Sequence, residues 1–388
     1  MKALFLTFHG FDAANGISKK IHYQVRALEA NGLETYLCYL SEEHGRKQRM
    51  AGKQVIADYG TGWRSKISKR IEFDSIVRFV VREKIKLVYM RSAHNANPFT
   101  IRLVRRLKQE GCRVIMEIPT YPYDQEYVTF RMKIGLYLDR YYRKKLARCL
   151  DGIVTFSDYK TIFGIPTIQI SNGIDFEAIP LKHALNTPER ELHLIGVAEI
   201  HYWHGYDRLI KGMAEYYATQ PDYKVYFHLI GDFFSARERN EIVPLIGQSG
   251  LGPYVILHGA LHGKALDNLF DRCDMGIGSL GRHRSGIQHI KTLKNREYAA
   301  RGIPFIYSET DTDFENRPYI LKVPANEAPV NIGRLIAFYR QLSVSPSGIR
   351  ASIQELSWER QIKKVLCMLI LSGKCVVFRI CNKGGDKK

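Results

Sequence analysis

At 388 residues, 45% of them hydrophobic and 25% charged, the chain has the length of about two folded domains and the composition of a globular protein. Its 58 Lys and Arg against 39 Asp and Glu leave a formal charge of +19, and its seven cysteines contain no CxxC pair. This excludes a largely disordered chain, apart from the 383–388 tail, and a disulfide framework; the thiols read as reduced and mostly buried.

In chain order, the opening apolar run Met1–Phe8 is too short for a signal sequence and reads as a buried first strand. Further strand windows follow at 34–40, 87–90, 113–118, 152–156 and 167–170, with the first placed at 3–8. A second series falls at 192–197, 225–230, 254–257, 275–279 and 304–307. Amphipathic stretches fill the gaps; the clearest, 17–30, closes on Asn31-Gly32, a helix stop. Strands alternating with helices make parallel α/β sheets. Two such blocks predict two Rossmann-like domains, 1–178 and 190–355. The join falls in 175–189, which holds Pro180 and Pro188. Residues 356–388 form a C-terminal helix, roughly 358–372, that crosses back over both domains, and a basic tail. The apolar run 365–371 is too short to span a bilayer.

Positive charge concentrates in the first half, with Arg64, Lys66, Lys69, Arg70, Arg78, Arg82, Lys84 and Lys86 followed by Arg102, Arg105, Arg106 and Lys108. The 140–148 stretch adds five more, interleaved with Tyr141 and Tyr142. Such a face suits an anionic membrane surface, nucleic acid, or plain solvation. No recognisable nucleic-acid module supports the second, so the expected partners include no nucleic acid.

Three segments carry the chemistry. The first βα turn, 9–18, lacks GxGxxG, so a nicotinamide fingerprint is missing; Gly16 at the helix start would let a backbone approach a phosphate. In 196–210 a strand ends and a helix begins near Gly205. His204 and Arg208 lie about one turn apart near its positive end, where a diphosphate could sit; Trp203 and the histidines could equally pack and cap the loop. In 278–306 a strand ends in a small, basic loop, and a helix then carries Lys294 and Glu297 on one face before stopping at Gly302. The pair could be a surface ion pair. It could also divide labour, Lys294 facing phosphates and Glu297 accepting hydrogen bonds from ribose hydroxyls. Asp311-Thr312-Asp313 reads as loop acids, and no metal ligand set is expected.

Taken together, Asn15-Gly16-Ile17, Ser171-Asn172-Gly173-Ile174-Asp175, the 203–210 helix start, Ile230-Gly231-Asp232 and the 293–304 segment resemble, in order and over nearly the whole chain, the family-4 retaining glycosyltransferases of GT-B fold. Lys294-x-x-Glu297-Tyr298-x-x-x-Gly302-x-Pro304 is similar to the donor motif common in enzymes of bacterial surface polysaccharide synthesis. The resemblance implies two Rossmann-like domains facing across a cleft. It implies retaining, metal-independent transfer of a hexose from a UDP- or GDP-sugar, with no other cofactor. The acceptor would be a polyprenyl-diphosphate-linked oligosaccharide of capsule, exopolysaccharide or O-antigen synthesis. The place would be the inner face of the cytoplasmic membrane. His204 and Lys294 would stabilise the leaving diphosphate. Gly16, Gly205, Arg208, Gly231 and Glu297 would bind the donor, and Asp124, Glu117 and His289 the sugar or acceptor. The sequence departs from the family pattern at Glu199, where Arg is usual, at His204, where Lys is usual, and at His289, where a paired Glu is usual. A non-catalytic GT-B subunit, a sugar-nucleotide epimerase and a phosphorylase therefore stand as alternatives.

Overall fold

The computed structural model describes residues 1–11, 16–92, 96–124, 127, 130–183, 189–287 and 289–369. Asn15, Pro188, Cys375, Cys381, positions 370–372 of the predicted last helix and the basic tail lie outside them. Contacts divide the chain into two units, Met1–Ser171 with the segment from Trp358 onward, and Asn172–Ser357.

The first unit runs β1 (Lys2–Leu6), α1 (Gly16–Ala30), β2 (Glu34–Glu43), β3 (Arg46–Ala51), β4 (Gln54–Gly60), α2 (Gly62–Ile71), α3 (Asp74–Arg82), β5 (Leu87–Arg91), α4 (Pro98–Gln109), β6 (Arg113–Ile118), α5 (Phe130–Ala147), β7 (Gly152–Thr155), β8 (Thr161–Ile162) and β9 (Ile165–Gln169). Its sheet has the order β4-β3-β2-β1-β5-β6-β7-β9-β8. β1, β2, β5, β6, β7 and β9 are parallel. Parallel strands are covered on both faces, which is why β5 is buried throughout. One face packs on α3, α4 and α5 through residues such as Phe79, Val104 and Leu136. The other packs on α1 through Ile21 and Leu28 and on the last helix through Trp358 and Ile362. α1 stops where Gly32, at φ +83°, lets Leu33 N–H reach back to Leu28 O at 3.1 Å.

The second unit runs β10 (Glu191–Val197), α6 (Tyr206–Tyr217), β11 (Lys224–Ile230), α7 (Ala236–Gln248), β12 (Val255–Gly259), α8 (Gly263–Arg272), β13 (Met275–Ile277), α9 (Leu293–Ala300), β14 (Phe305–Tyr307), β15 (Ile320–Lys322), α10 (Ile332–Arg340) and α11 (Pro346–Ala351). α12 (Trp358–Leu369) then joins the first unit, packing on α1. The sheet order is β12-β11-β10-β13-β14-β15, parallel throughout. Each strand window read from the sequence holds a strand.

The hairpin β3–β4 and the short β8 and β15 were not anticipated. The β2–β3 turn is a two-residue loop with both centres at positive φ, His44 at +49° and Gly45 at +80°. β3 buries Lys47, Arg49 and Ala51 on one face, so its period-2 pattern is hidden by charged side chains. Arg49 donates there to Thr7 O at 2.9 Å and Lys69 O at 3.3 Å. Among the described residues no helix is long and apolar enough to cross a membrane. Cys38, Cys112, Cys149 and Cys273 are free thiols.

Candidate active site at the strand switch of the second unit

The order β11-β10-β13-β14 means that connections leave β10 in one direction and β13 in the other. Open α/β sheets bind ligands at such a reversal, outside the carboxyl ends of the strands. Three loops meet this end: 198–205 after β10, 278–292 after β13 and 308–319 after β14. Small residues let the backbones close up. Gly205 sits at φ +63°, and a methyl group there would lie 2.6 Å from Gly281 N. A methyl on Gly231 would lie 1.7 Å from Ala198 O. The loops are tied by Leu280 N–H to His204 O at 2.8 Å and Ser308 N–H to Ser279 O at 2.9 Å. Arg284 pins them further, donating to both oxygens of Asp207 at 2.8 and 2.9 Å and to Tyr202 O at 3.0 Å.

Inside this frame lie His204, Lys294 and Arg282, the first buried and the other two half-buried. His204 is 6% exposed, and its Nδ1 accepts from His201 N–H at 3.0 Å, which puts the ring proton on Nε2. Burial, then the neighbouring Lys294 and Arg282, hold its pKa well below the ordinary range, so the ring is neutral. Lys294 donates to Tyr206 OH at 3.3 Å. Burial and Arg282 bring its pKa down to about 7. Glu309 is 1% exposed, and burial raises it to about 7. Asn295 reaches Glu309 Oε1 and Asp311 Oδ2, each at 3.4 Å. Four buried polar atoms here, Ser279 Oγ, Thr292 Oγ1, Asn295 Oδ1 and Glu309 Oε2, have no hydrogen-bond partner among the described residues. Each such atom costs about 1–3 kcal/mol. Half-buried Lys294 and Arg282 beside unfilled donors and acceptors suit an anionic, hydroxyl-bearing ligand.

Lys294 and Glu297 do not pair with each other. Glu297 Oε1 accepts from Arg301 Nε at 3.1 Å and Nη2 at 2.9 Å, which leaves its second oxygen unused by that arginine. Arg208 needs correction as a donor-binding residue. It is 1% exposed and spends its guanidinium on Ala328 O at 2.8 Å, Asn326 Oδ1 at 3.0 Å and Leu280 O, so it positions the loop after β13. Glu117 also needs correction as a sugar or acceptor contact. It is wholly buried in β6 of the first unit, held by Arg91 at 2.6 Å, Lys20 at 3.4 Å and Tyr89 OH at 2.8 Å. Asp124 is paired with Arg140 at 2.8 Å and Arg143 at 2.7 Å in the same unit. His289 is exposed and bridges by its backbone to Thr310. Gly16 opens α1, and a methyl group on it would meet nothing within 4 Å.

The loop acids have a structural explanation. Buried Arg296 donates to Asp311 at 2.6 and 3.0 Å, to Asp313, to Thr292 O at 2.9 Å and to Asn172 O at 3.0 Å. Sequence reasoning missed Ser279, Asn295 and Glu309. The available signal was position: Ser279 follows β13 and Glu309 follows β14, both at carboxyl strand ends.

No family model matches the chain, and no curated protein sequence matches it. Solved structures do. Sucrose-phosphate synthase from Thermosynechococcus elongatus superposes with TM-score 0.65 at 15% identity, covering 96% of this chain and 99% of that one. The catalytic domain of starch synthase IV from Arabidopsis thaliana, bound to ADP and acarbose, gives 0.61 at 12% identity, covering 96% and 98%. Anabaena HepE in complex with UDP-glucose gives 0.59 at 15% identity, covering 95% and 100%. The chain has the GT-B fold.

Proposed function

We propose that this protein is a glycosyltransferase that moves a hexose from a nucleotide sugar to a lipid-linked oligosaccharide, with retention and without a metal. The observation that carries the reading is the cluster of half-buried Lys294 and Arg282 with buried His204 at the strand switch, with Ser279, Asn295 and Glu309 beside it. The solved complexes of similar fold, with ADP and with UDP-glucose, support a nucleotide-sugar donor.

In this mechanism Glu297 offers its second oxygen to a ribose hydroxyl. Lys294 faces the diphosphate, and His204, as a neutral ring, donates its Nε2 proton to a phosphate oxygen. An acceptor hydroxyl attacks the anomeric carbon on the face that the diphosphate leaves. The new C–O bond forms as the sugar–phosphate C–O bond breaks, and the acceptor proton passes to the departing diphosphate. The protein supplies no nucleophile; it stabilises the charge that grows on the leaving group. Gly205 and Gly231 hold the loops at the spacing this needs. His289 and Asp124 are carried as contacts to sugar or acceptor.

The basic face of the first unit, including Arg64 and Lys66, would bring the enzyme to the anionic inner face of the cytoplasmic membrane, where the polyprenyl-diphosphate acceptor lies. The test is release of nucleoside diphosphate from a panel of UDP- and GDP-hexoses in the presence of membranes and EDTA. Turnover with one donor, reduced about 10²–10³-fold by Lys294→Met, is expected; turnover that EDTA abolishes contradicts the metal-free mechanism.

One observation favours a second reading. Glu199 stands at the mouth of the site, paired with His201 at 3.1 Å, and its negative charge opposes a diphosphate. A non-catalytic subunit would bind the nucleotide or a partner transferase and release no diphosphate under any acceptor.

A further inference from the structure

α5 turns more large apolar side chains outward than a helix that only closes a core. Its inward residues are few: Leu136, Leu146, Ala147 and Asp139, the last held by Tyr123 OH at 2.6 Å and Ala96 N–H at 3.1 Å. Its outward face presents Phe130, Ile134, Tyr137, Leu138 and Tyr141, which are 81%, 54%, 75%, 50% and 60% exposed. Spacings of four, three and four put Phe130, Ile134, Tyr137 and Tyr141 on one stripe. Single exposed apolar residues are ordinary, but a continuous stripe marks an interaction surface.

We infer that α5 lies in the headgroup layer of an anionic membrane, with this stripe inserted and Lys133, Lys144 and Lys145 at the phosphates. The inference rests on the membrane reading above and names the surface that makes the contact. Asp139, the one acid in α5, points inward, so the exposed face carries cations alone. Lys145 sits 4.3 Å from the centre of the Tyr141 ring, a cation and an aromatic side by side. The helix has 18 residues, is about 27 Å long, and carries basic and aromatic residues on its open side. Tyrosine rings with a polar tip belong at that depth.

Charge selects lipid over a second copy of the chain: two such faces would meet cation to cation. α4, which packs on α5, also packs on α2, where Trp63 and Ile67 are 68% and 48% exposed and acids are again lacking.

The test uses the full chain and vesicles of phosphatidylcholine with and without phosphatidylglycerol. The protein should bind only the anionic vesicles. The triple variant Ile134→Ser, Tyr137→Ser, Tyr141→Ser should bind at least about tenfold more weakly while keeping the wild-type melting temperature and nucleotide affinity. The variant Tyr137→Trp should shift its fluorescence to the blue on vesicle addition. If wild type binds neither vesicle, the membrane reading itself fails. If wild type binds and both α5 variants behave as though α5 were in water, the membrane reading stands and α5 is not the contact. A concentration-dependent dimer abolished by the triple variant would overturn the proposal in favour of a second copy.

Discussion

Two side chains in the strand-switch site hold unusual protonation for the same reason. Lys294 and Glu309 are both brought to about 7 by burial, from opposite sides. An anionic ligand favours the protonated form of each, raising both pKa values. Binding should therefore take up protons near neutrality, and affinity should fall as pH rises above about 7, approaching tenfold per pH unit for each group involved. Calorimetry of nucleoside diphosphate binding in two buffers of different ionisation enthalpy measures the uptake directly; binding with no proton exchange would show that the ligand sits elsewhere. In the proposed mechanism Glu297 holds the ribose and not the phosphates. Glu297→Ala should weaken binding of a nucleoside diphosphate about tenfold and leave pyrophosphate binding unchanged. Equal losses for both would take Glu297 away from the ribose. The places of Lys294 and Glu297 in the first turns of α9, and of His204 just before α6, were legible in the sequence. Glu309 was not, because nothing local marks an acid as buried; its environment comes from loops 279–309 folding together. Arg208 failed for the converse reason: its neighbours Asn326 and Ala328 are over a hundred residues away.

The elements that build the site are short, and their closeness rests on glycine and on buried ion pairs. β13 and β14 have three residues each, yet all six are buried, so apolar runs alone revealed them. β3 was invisible because its inward residues include Lys47 and Arg49. Such burial of charge is read from tertiary partners, never from period. Gly205→Ala combines a left-handed backbone with a methyl pressed on Gly281. It should destabilise the second unit by at least about 2 kcal/mol in urea unfolding. Arg296 links the segment after Ser171 to α9 and the 311–313 loop. Arg296→Met should cost about 3–5 kcal/mol, because Asp311 would remain buried without its partner. A near-neutral result at either position would mean that the loops do not depend on these contacts.

At the scale of the whole molecule, the alternation of strands and helices announced two parallel-sheet units, and the superpositions bear that out as the GT-B fold. The charge of +19 and its concentration in the first half were legible; the structure sets part of it on α2, α4 and α5 of the first unit, beside exposed aromatics. The lopsided surface and the cluster around Lys294 are separate features: the first carries the proposed membrane contact, the second the proposed nucleotide-sugar site.

The measurement that bears most directly on this account is thermal unfolding of the full chain against UDP-, GDP- and dTDP-sugars, with and without EDTA. A ligand at 100 times its dissociation constant adds about 2.7 kcal/mol of stability. The account predicts such a shift with one nucleotide, unchanged by EDTA and lost in Lys294→Met. Wild-type protein that no nucleotide stabilises, or a shift that Lys294→Met leaves intact, would contradict a nucleotide-sugar site at the β10/β13 switch.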